Sequence, residues 1–484
     1  MSYFVVTMLF IEASNRYPSD TFYSYSQSYI SNKTNAFDFT NSDAHMTDIN
    51  VMNIPLALYI HIPWCVKKCP YCDFNSHELP VDSQLSMYDE YVDALLLDAQ
   101  MQQSLTQGRE IGSIFIGGGT PSLLPIAQYQ RLFAGLRACF IFADDIEVTM
   151  EANPGTLEHA PFAQYLDVGI NRLSIGVQSF AADKLKTLGR IHDPKQALSA
   201  IKAARSAGFE RVNVDLMHGL PQQSLTEALN DIQTAHNAGA THISWYQLTI
   251  EPNTVFYRSQ PILPDEDSLA DIEQAGQALL QQLGYDNYEV SAWSGASDKP
   301  CRHNVNYWQF GDYLAIGAGA HGKVTVANNK SDDNELGDNK DSGNQVGLLS
   351  ENTLKPSEKH EGQSSELLAE TGIYRFSKSR LPKDYVDYQD ITETSHDSQN
   401  FPKMIGWQQI ASDELVSEFM LNALRLHDGV SWALFDDRTG LCYDSVAGQV
   451  DKLVKQGLLV DDRQQLKPTA LGSRYLNQIL RAFL

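Results

Sequence analysis

Between Leu56 and Leu248 a short apolar run is followed, again and again, by a longer amphipathic one, and this alternation restricts the fold more than any other property of the chain. The runs Leu56 to His61, Ser113 to Ile116, Ile146 to Glu151, Arg172 to Gly176, Arg211 to Leu216 and His242 to Leu248 have the length of strands. Between them, Tyr88 to Ser104, Gln128 to Cys139, Ala160 to Val168, Lys195 to Ala207 and Leu225 to Ala238 place apolar residues at helical spacing. Such a succession predicts parallel strands joined by crossover helices, hence an α/β fold: a partial (β/α)6 barrel or an open, curved parallel sheet. In these folds the carboxyl ends of all strands gather on one face, where ligands bind.

The chemically unusual residues fall at those ends. Cys65, Cys69 and Cys72 follow the first run, Gly117-Gly-Gly-Thr-Pro121 the second, Glu151-Ala-Asn-Pro-Gly155 ends the third, Gln178 follows the fourth and Asp215 ends the fifth. The C-x3-C-x2-C spacing supplies three thiolates to a [4Fe-4S] cubane and leaves its fourth iron without a protein ligand, able to bind a small molecule. Two plainer readings use the same residues: a structural zinc site completed by His77, or reduced cysteines that merely cluster. Zinc sites usually draw on two paired ligand sets, and no second Cys or His pair follows at such spacing. Three successive glycines, taken alone, read equally as a flexible turn.

The chain has 484 residues, enough for two or three domains, and 43% hydrophobic content suffices for large cores. Of its 6 cysteines, Cys139, Cys301 and Cys442 stand singly, which fits free thiols in a reducing compartment, the cytoplasm. A formal net charge of -24 argues against nucleic acid and anionic lipid as partners. No apolar run reaches the roughly 20 residues of a spanning helix, and Met1 to Ile11 lacks the basic flank of a signal peptide, which leaves peripheral contact as the membrane role still open.

Residues 1–53, rich in Ser, Asn, Asp and Tyr and without periodicity, are expected to be a disordered extension, with Met46 and Met52 as alternative starts just before the first strand. Residues 54–326 form the α/β core, 327–372 an acidic low-complexity insertion, and 373–484 a C-terminal domain. In that domain Leu415 to Leu426 reads as a helix, and Val446 to Gln456, Gly457 to Val460, Leu466 to Pro468 and Thr469 to Leu480 as helix, strand, strand, helix. The order describes a small, mainly helical, winged-helix-like unit. Without a basic face it suits a structural or lid role rather than DNA binding.

Longer motifs surround the strand-end residues: Tyr59-Ile-His-Ile-Pro-Trp-Cys65, Gly117-Gly-Gly-Thr-Pro-Ser-Leu-Leu124, Met150-Glu-Ala-Asn-Pro-Gly155, Ser174-Ile-Gly-Val-Gln-Ser-Phe180, Leu188-Gly-Arg-Ile-His192 and Asp215-Leu-Met-His-Gly-Leu-Pro221. With them the chain resembles radical S-adenosylmethionine (SAM) proteins of the oxygen-independent coproporphyrinogen-III-oxidase-like family, in the branch that includes the haem chaperone HemW. The resemblance covers about residues 55–326 and resumes from about 373 to the end. It implies that SAM chelates the open iron through its amino and carboxylate groups, with Cys65, Cys69 and Cys72 as the cluster ligands. It puts the backbone of Gly118, Gly119 and Thr120 against the methionine ammonium, where glycine lets a ligand approach the main chain. It also makes Glu151, Gln178, Arg190 and Asp215 SAM contacts, with carboxylate and amide for the ribose hydroxyls and a bidentate Arg for the SAM carboxylate. Tyr59 is placed near the methionyl group. Each of these residues alone reads equally as an ordinary side chain of a strand or strand end.

Two branches of this family differ in what they do. The coproporphyrinogen III dehydrogenase carries a fourth cysteine two residues after the third, where Phe74 stands here, and residues 1–53 lack its substrate-enclosing pattern. Cys301-Arg-His303-Asn304-Val-Asn-Tyr307-Trp308, in turn, resembles the haem-contacting H-N-x-x-Y-W motif of HemW proteins. Neutral imidazole ligates haem iron and flanking Tyr and Trp can lie on a porphyrin, so His303 is the expected haem ligand, with Cys301 as the alternative and His321 a lesser one. A histidine beside aromatics is otherwise structural, as His61 and His218 are expected to be. The function expected is that of a cytoplasmic haem chaperone that binds haem and a SAM-ligated [4Fe-4S] cluster and hands haem to acceptor proteins such as membrane respiratory enzymes. A homodimer is the other association open to it. The alternatives are a radical SAM dehydrogenase that decarboxylates coproporphyrinogen III and a zinc-stabilised scaffold; whether the chain is an enzyme turns on that choice.

Overall fold

A computed structural model describes residues 49–80, 85–155, 162–327, 371–387 and 406–484. Six strands, β1 (Leu56–Ile62), β2 (Ile111–Gly118), β3 (Phe142–Ala152), β4 (Arg172–Gln178), β5 (Arg211–His218) and β6 (His242–Gln247), pair in parallel, each with the next in the chain. Helices Leu85–Met101, Ile126–Cys139, Phe162–Asp167, Pro194–Ser206 and Leu225–Ala238 connect them. This is the partial (β/α)6 barrel that the alternation predicts.

The fourth to sixth strands alternate apolar and polar residues over much of their length. Leu173, Ile175, Val212, Val214 and Ile243 join the main hydrophobic core, whereas Ser174, Asn213, Asp215, His242 and Ser244, one residue out of step, hydrogen-bond to one another across the barrel interior. Local sequence sets the helix starts. Asp193 and Gln196 close a capping box ahead of Pro194–Ser206, with proline at the first helical position. Ser224 and Glu227 do the same for Leu225–Ala238, which Gly239 ends in the left-handed region at φ 99°.

Beyond the barrel the same sheet takes six more strands: β7 (Tyr285–Glu289), β8 (Ala292–Gly295), β9 (Asp312–Ile316), β10 (His321–Val326), β11 (Gly372–Ser377) and β12 (Gly406–Gln409). The order is β12-β11-β10-β9-β1-β2-β3-β4-β5-β6-β8-β7. Only β9 extends the parallel part, lying against β1; the other five pair antiparallel. Buried Asp312 fastens this edge, accepting from Arg109 Nη1, Lys323 Nζ and the Thr325 backbone, each at 2.8 Å. Burial alone would raise its carboxyl, and the two cations hold it below the ordinary range.

The C-terminal unit has helices Ser412–Ala423, Trp432–Thr439, Ala447–Lys455, Ala470–Arg474 and Leu476–Arg481 around a short ladder of Val430–Ser431 with Gln465–Leu466. Three details differ from the sequence expectation. Trp432–Thr439 is an additional helix, the last helix breaks at Tyr475, and Gly457 to Val460 contributes a single bridge, Leu459 to Pro468, in place of a strand. A second core joins this unit to the barrel through Ile49, Ile54, Tyr307, Trp308 and Phe310. Ile49 and Val51, within the stretch expected to be disordered, are therefore folded in, and Gly372–Ser377 lies in the main sheet. Residues 1–48 and 328–370 lie outside the described residues. Among the described residues no helix is long and apolar enough to cross a membrane.

Candidate functional site

The carboxyl ends of β1 to β6 form an open mouth, and the cysteine loop lies across it. After β1 the chain makes a short strand, Trp64–Cys65, which pairs in parallel with His77–Glu78 and closes the intervening residues into one loop. Trp64 sits edge-on to Tyr91, with ring centroids 4.6 Å apart, and Lys68 Nζ donates to the carbonyls of Phe74 (3.1 Å) and Ser76 (3.3 Å) inside the loop. Each thiol has its own polar neighbour: Thr120 Oγ1 donates to Cys65 Sγ (3.5 Å), Arg190 Nη1 to Cys69 Sγ (3.7 Å), and Ser76 Oγ lies 3.7 Å from Cys72 Sγ.

Burial pushes the Cys65 thiol up and that of Cys72 up to about 11, against the pull of Thr120 and Ser76, so without a metal these sulfurs stay protonated. Among the described residues no three His, Cys, Asp or Glu side chains gather as ligands of a single ion would. A cubane asks for a different arrangement, three sulfurs each on its own iron, with hydrogen-bond donors behind them. His77 turns its Nε2 to the Arg380 carbonyl at 3.2 Å, away from a zinc role.

Packing by itself already demands glycine at two positions of the run. A Cβ on Gly118 would meet the His61 ring at 2.6 Å, and one on Gly119 the Trp64 carbonyl at 2.5 Å. Of the backbone groups in this loop, the N–H groups are already engaged: Gly118 to Glu151 Oε2 (3.2 Å), Gly119 to Ile62 O (2.7 Å) and Thr120 to Trp64 O (2.7 Å). An ammonium is itself a donor, so only carbonyls of this loop can receive it.

Facing the loop stand Glu151, Gln178, Arg190 and Asp215. Burial, with Asp215 nearby, pushes the Glu151 carboxyl up to about 7. Asp215 is also raised by burial, although Ser174 Oγ (3.0 Å) and Asn213 Nδ2 (2.8 Å) donate to it. A register shift between Gly176 and Gln178 interrupts the β4–β5 ladder, and Gln178 takes a left-handed φ of 71°. Such bulges re-aim side chains beside functional sites. Here Gln178 Oε1 accepts from Tyr246 (2.9 Å), and the Gly176 carbonyl accepts from Arg190 Nη2 (2.5 Å). Arg190 Nε is buried without a partner. Tyr59 lies deeper, its hydroxyl 3.0 Å from His61 Nδ1 and its ring stacked on Phe115 at 6.5 Å.

The Cys301–Trp308 motif lies at the opposite end of the barrel. Its helix, Arg302–Trp308, plugs the amino ends of the strands. His303 is buried, with Nδ1 3.3 Å from Ser113 Oγ, Nε2 2.8 Å from Tyr307 Oη and its ring stacked on Phe115 at 5.2 Å; burial lowers its imidazole to about 3. Both nitrogens are thus engaged internally. Cys301 is buried too, its thiol pushed up to about 12 by burial and donating to Glu147 Oε1 at 3.4 Å. Tyr307 and Trp308, expected to lie on a porphyrin, pack into the C-terminal unit, with the Arg425 guanidinium 4.5 Å over the Trp308 ring. Three polar atoms of the motif, Asn304 Oδ1, Asn306 Oδ1 and Trp308 Nε1, are nonetheless buried without partners. His321 opens β10 at the mouth, and burial lowers it to about 4.

Sequence reading missed Tyr246, Ser174 and Asn213, which orient Gln178 and Asp215, and it missed Glu251. That carboxylate is 3% exposed, its Oε2 has no partner, and burial, with Asp73 beside it, pushes it up to about 7. It follows the sixth strand as the other site residues follow theirs, so the same positional rule would have found it.

Three kinds of similarity bear on this arrangement. The radical SAM superfamily matches residues 59–235 and the HemN C-terminal domain matches residues 410–475. The heme chaperone HemW of Escherichia coli strain K12 is 42% identical over 89% of this chain and 98% of its own length. That of Haemophilus influenzae is 41% identical over the same shares, and that of Bacillus subtilis 30% identical over 88% and 99%. A solved structure of the coproporphyrinogen III oxidase HemN from Escherichia coli, described as a radical SAM enzyme, superposes with a TM-score of 0.67 at 22% identity, covering 91% of this chain and 92% of that one. That likeness bears on the fold alone.

Proposed function

We propose, on the premise that this chain belongs to the HemW family of radical SAM proteins, that it is a haem chaperone: it binds haem and a SAM-ligated [4Fe-4S] cluster, and transfers haem to acceptor haem proteins. The observation that carries the reading is the three-cysteine loop spread over the barrel mouth, each sulfur with a separate polar neighbour and Phe74 where a fourth ligand would stand.

The residues fit the absent groups. Three thiols supply one corner each, the unpaired Arg190 Nε faces the same mouth, and two half-buried carboxylates, Glu151 and Asp215, wait there for hydroxyl or ammonium donors. Cys65, Cys69 and Cys72 would hold the cluster; when bound, the cluster supplies an iron site that chelates SAM. The chain's own residues do the rest. Arg190 pairs with the SAM carboxylate, carbonyls of Gly118 and Gly119 receive its ammonium, Asp215 and Gln178 take the ribose hydroxyls, and Glu151 and Tyr59 close the inner wall. The Thr120 hydroxyl acts through Cys65.

Haem engages the Cys301–Trp308 helix through His303, and that needs the imidazole to leave Tyr307 and Ser113. The unpaired Asn304 Oδ1 and Trp308 Nε1 support this location, since buried polar atoms without partners mark places where a ligand or a rearrangement is expected. The acceptors are haem-requiring respiratory proteins, met in a reducing cytoplasm that keeps the free thiols unpaired. The dehydrogenase alternative has less support: the HemN C-terminal domain match over residues 410–475 and a fold likeness at 22% identity. Haem transfer to an apo-acceptor, followed by its Soret band with and without reconstituted cluster, tests the reading. Conversion of coproporphyrinogen III to protoporphyrinogen by the loaded protein would overturn it.

A further inference from the structure

One hydrogen-bonded chain crosses the barrel from mouth to plug. Asp215 Oδ1 accepts from Asn213 Nδ2 (2.8 Å); Asn213 Oδ1 faces His242 Nδ1 (2.7 Å); His242 Nε2 faces the Tyr288 hydroxyl (3.0 Å); and the Tyr288 oxygen accepts from the Cys301 N–H (3.2 Å), immediately before the helix that carries His303. Donor and acceptor chemistry orients every link. An amide oxygen can only accept, so His242 carries its proton on Nδ1; its Nε2 must then accept, so Tyr288 donates to it. All four bonds point the same way and end on the Asp215 carboxylate.

The chain needs His242 neutral. Burial, with Arg172 and Arg211 facing it, holds the imidazole well below its ordinary range. Ser244 Oγ donates to the same Asn213 oxygen at 3.1 Å, and Ser174 bridges Asn213 to Asp215 Oδ2. At the far end the next two N–H groups, of Arg302 (3.1 Å) and His303 (3.3 Å), are taken by Glu147. Tyr288 and Glu147 together therefore hold the start of the plug.

We propose that His242 and Tyr288 are positioning residues that fix Asp215 and tie it to the His303 helix, so that SAM at the mouth and haem at the plug are coupled through the barrel interior. This rests on the site assignments of the preceding subsection. Ribose hydroxyls donating to Asp215 share its charge with Asn213 and weaken the pull along the chain. The hold on Cys301 slackens, His303 frees itself more readily, and haem binds more tightly. Linkage makes the effect mutual: haem tightens SAM by the same factor.

The test uses full-length, cluster-reconstituted protein. SAM affinity is measured by equilibrium dialysis with and without haem, and haem affinity by Soret titration with and without SAM. Each ligand is expected to tighten the other by an equal factor of about fivefold or more, and SAM is expected to speed hydrogen exchange at the amides of residues 301–308. Tyr288→Phe, which removes one hydroxyl and keeps the ring, should abolish both effects; His242→Phe should abolish them and weaken SAM binding as well. Tyr285→Phe, which loses a buried hydroxyl bond to the Ala240 carbonyl outside the chain, should retain them. A protein that binds both ligands with less than a twofold mutual shift, or a Tyr288→Phe variant that keeps the full shift, overturns the coupling. A protein that binds neither SAM nor haem overturns the site assignments beneath it.

Discussion

At the carboxyl ends of the strands, Arg190 Nε and Glu251 Oε2 are buried without partners, Glu151 and Glu251 are pushed up to about 7, and Gln178 sits in a left-handed conformation. At the amino ends, Glu147 alone accepts from four donors, the Arg211 guanidinium, the Cys301 thiol and the N–H groups of Arg302 and His303. Burial would raise that carboxyl, yet Arg172 and Arg211 carry it below the ordinary range. The same strands thus end in two different ways. One end keeps polar groups expectant and costs the fold stability; at the other Glu147 gathers its donors, although Asn304 Oδ1, Asn306 Oδ1 and Trp308 Nε1 of the plug stay without partners. A ligand recovers the cost at the first end, whereas one at the second must first displace bonds already made.

The contrast breaks most sharply at Glu147. Replacing it with alanine takes from buried Arg172 the Glu147 charge that faces it and leaves Arg211 with Asp298 as its carboxylate partner, and urea unfolding of the metal-free protein should show a loss of about 3–5 kcal/mol. A loss below about 1 kcal/mol would mean that the closed end is no stronger than the open one.

Next in size is a pH effect at the mouth. The Glu151 carboxyl titrates near 4.5 when unfolded and about 7 when folded, so between those values the native state holds the extra proton. Its contribution is full below the unfolded value and is lost as pH rises through the folded one. Over pH 5 to pH 8 this contribution falls by about 1–3 kcal/mol, while His303 and His321, lowered by burial, contribute with the opposite sign. The measure is therefore the stability difference between metal-free Glu151→Gln and the metal-free unaltered protein, which should shift in favour of the variant by that amount as pH rises. Arg190→Lys sharpens the comparison further. A lysine cannot bond Gly176 O and Cys69 Sγ with a planar fork, so SAM affinity should fall about tenfold with iron content retained, as dialysis and iron assay would show. Smallest for the fold is Cys69→Ser: metal-free stability should move by less than about 1 kcal/mol, while cluster absorbance and bound iron vanish.

The barrel and the list of mouth residues were legible because both follow local pattern: period-two strands, helical spacing, and reactive side chains placed just past each run. What escaped depends on partners far along the chain. His303 announces an imidazole among aromatics, but its hydrogen bond to Ser113 joins residues 190 positions apart, and only the folded barrel brings Phe115 against its ring. Strands β7 to β12 escaped for a related reason. Tyr285–Glu289 and Ala292–Gly295 are short and polar, and Asp312–Ile316 becomes a strand through parallel pairing with β1, which local composition does not announce. Gly119 shows the limit from the other side: the motif singles the residue out, but the constraint that the fold places on it lies in the Trp64 carbonyl it packs on.

Val326 and Gly372 are register partners at the end of the β10–β11 hairpin remote from the cysteines. Everything that the chain inserts between them departs and returns at one spot, on adjacent strands, so its length is geometrically free of the rest. That junction is where a reporter domain or affinity handle could be spliced into this protein, and where related chains could lengthen or shorten without disturbing the chemistry at the far rim.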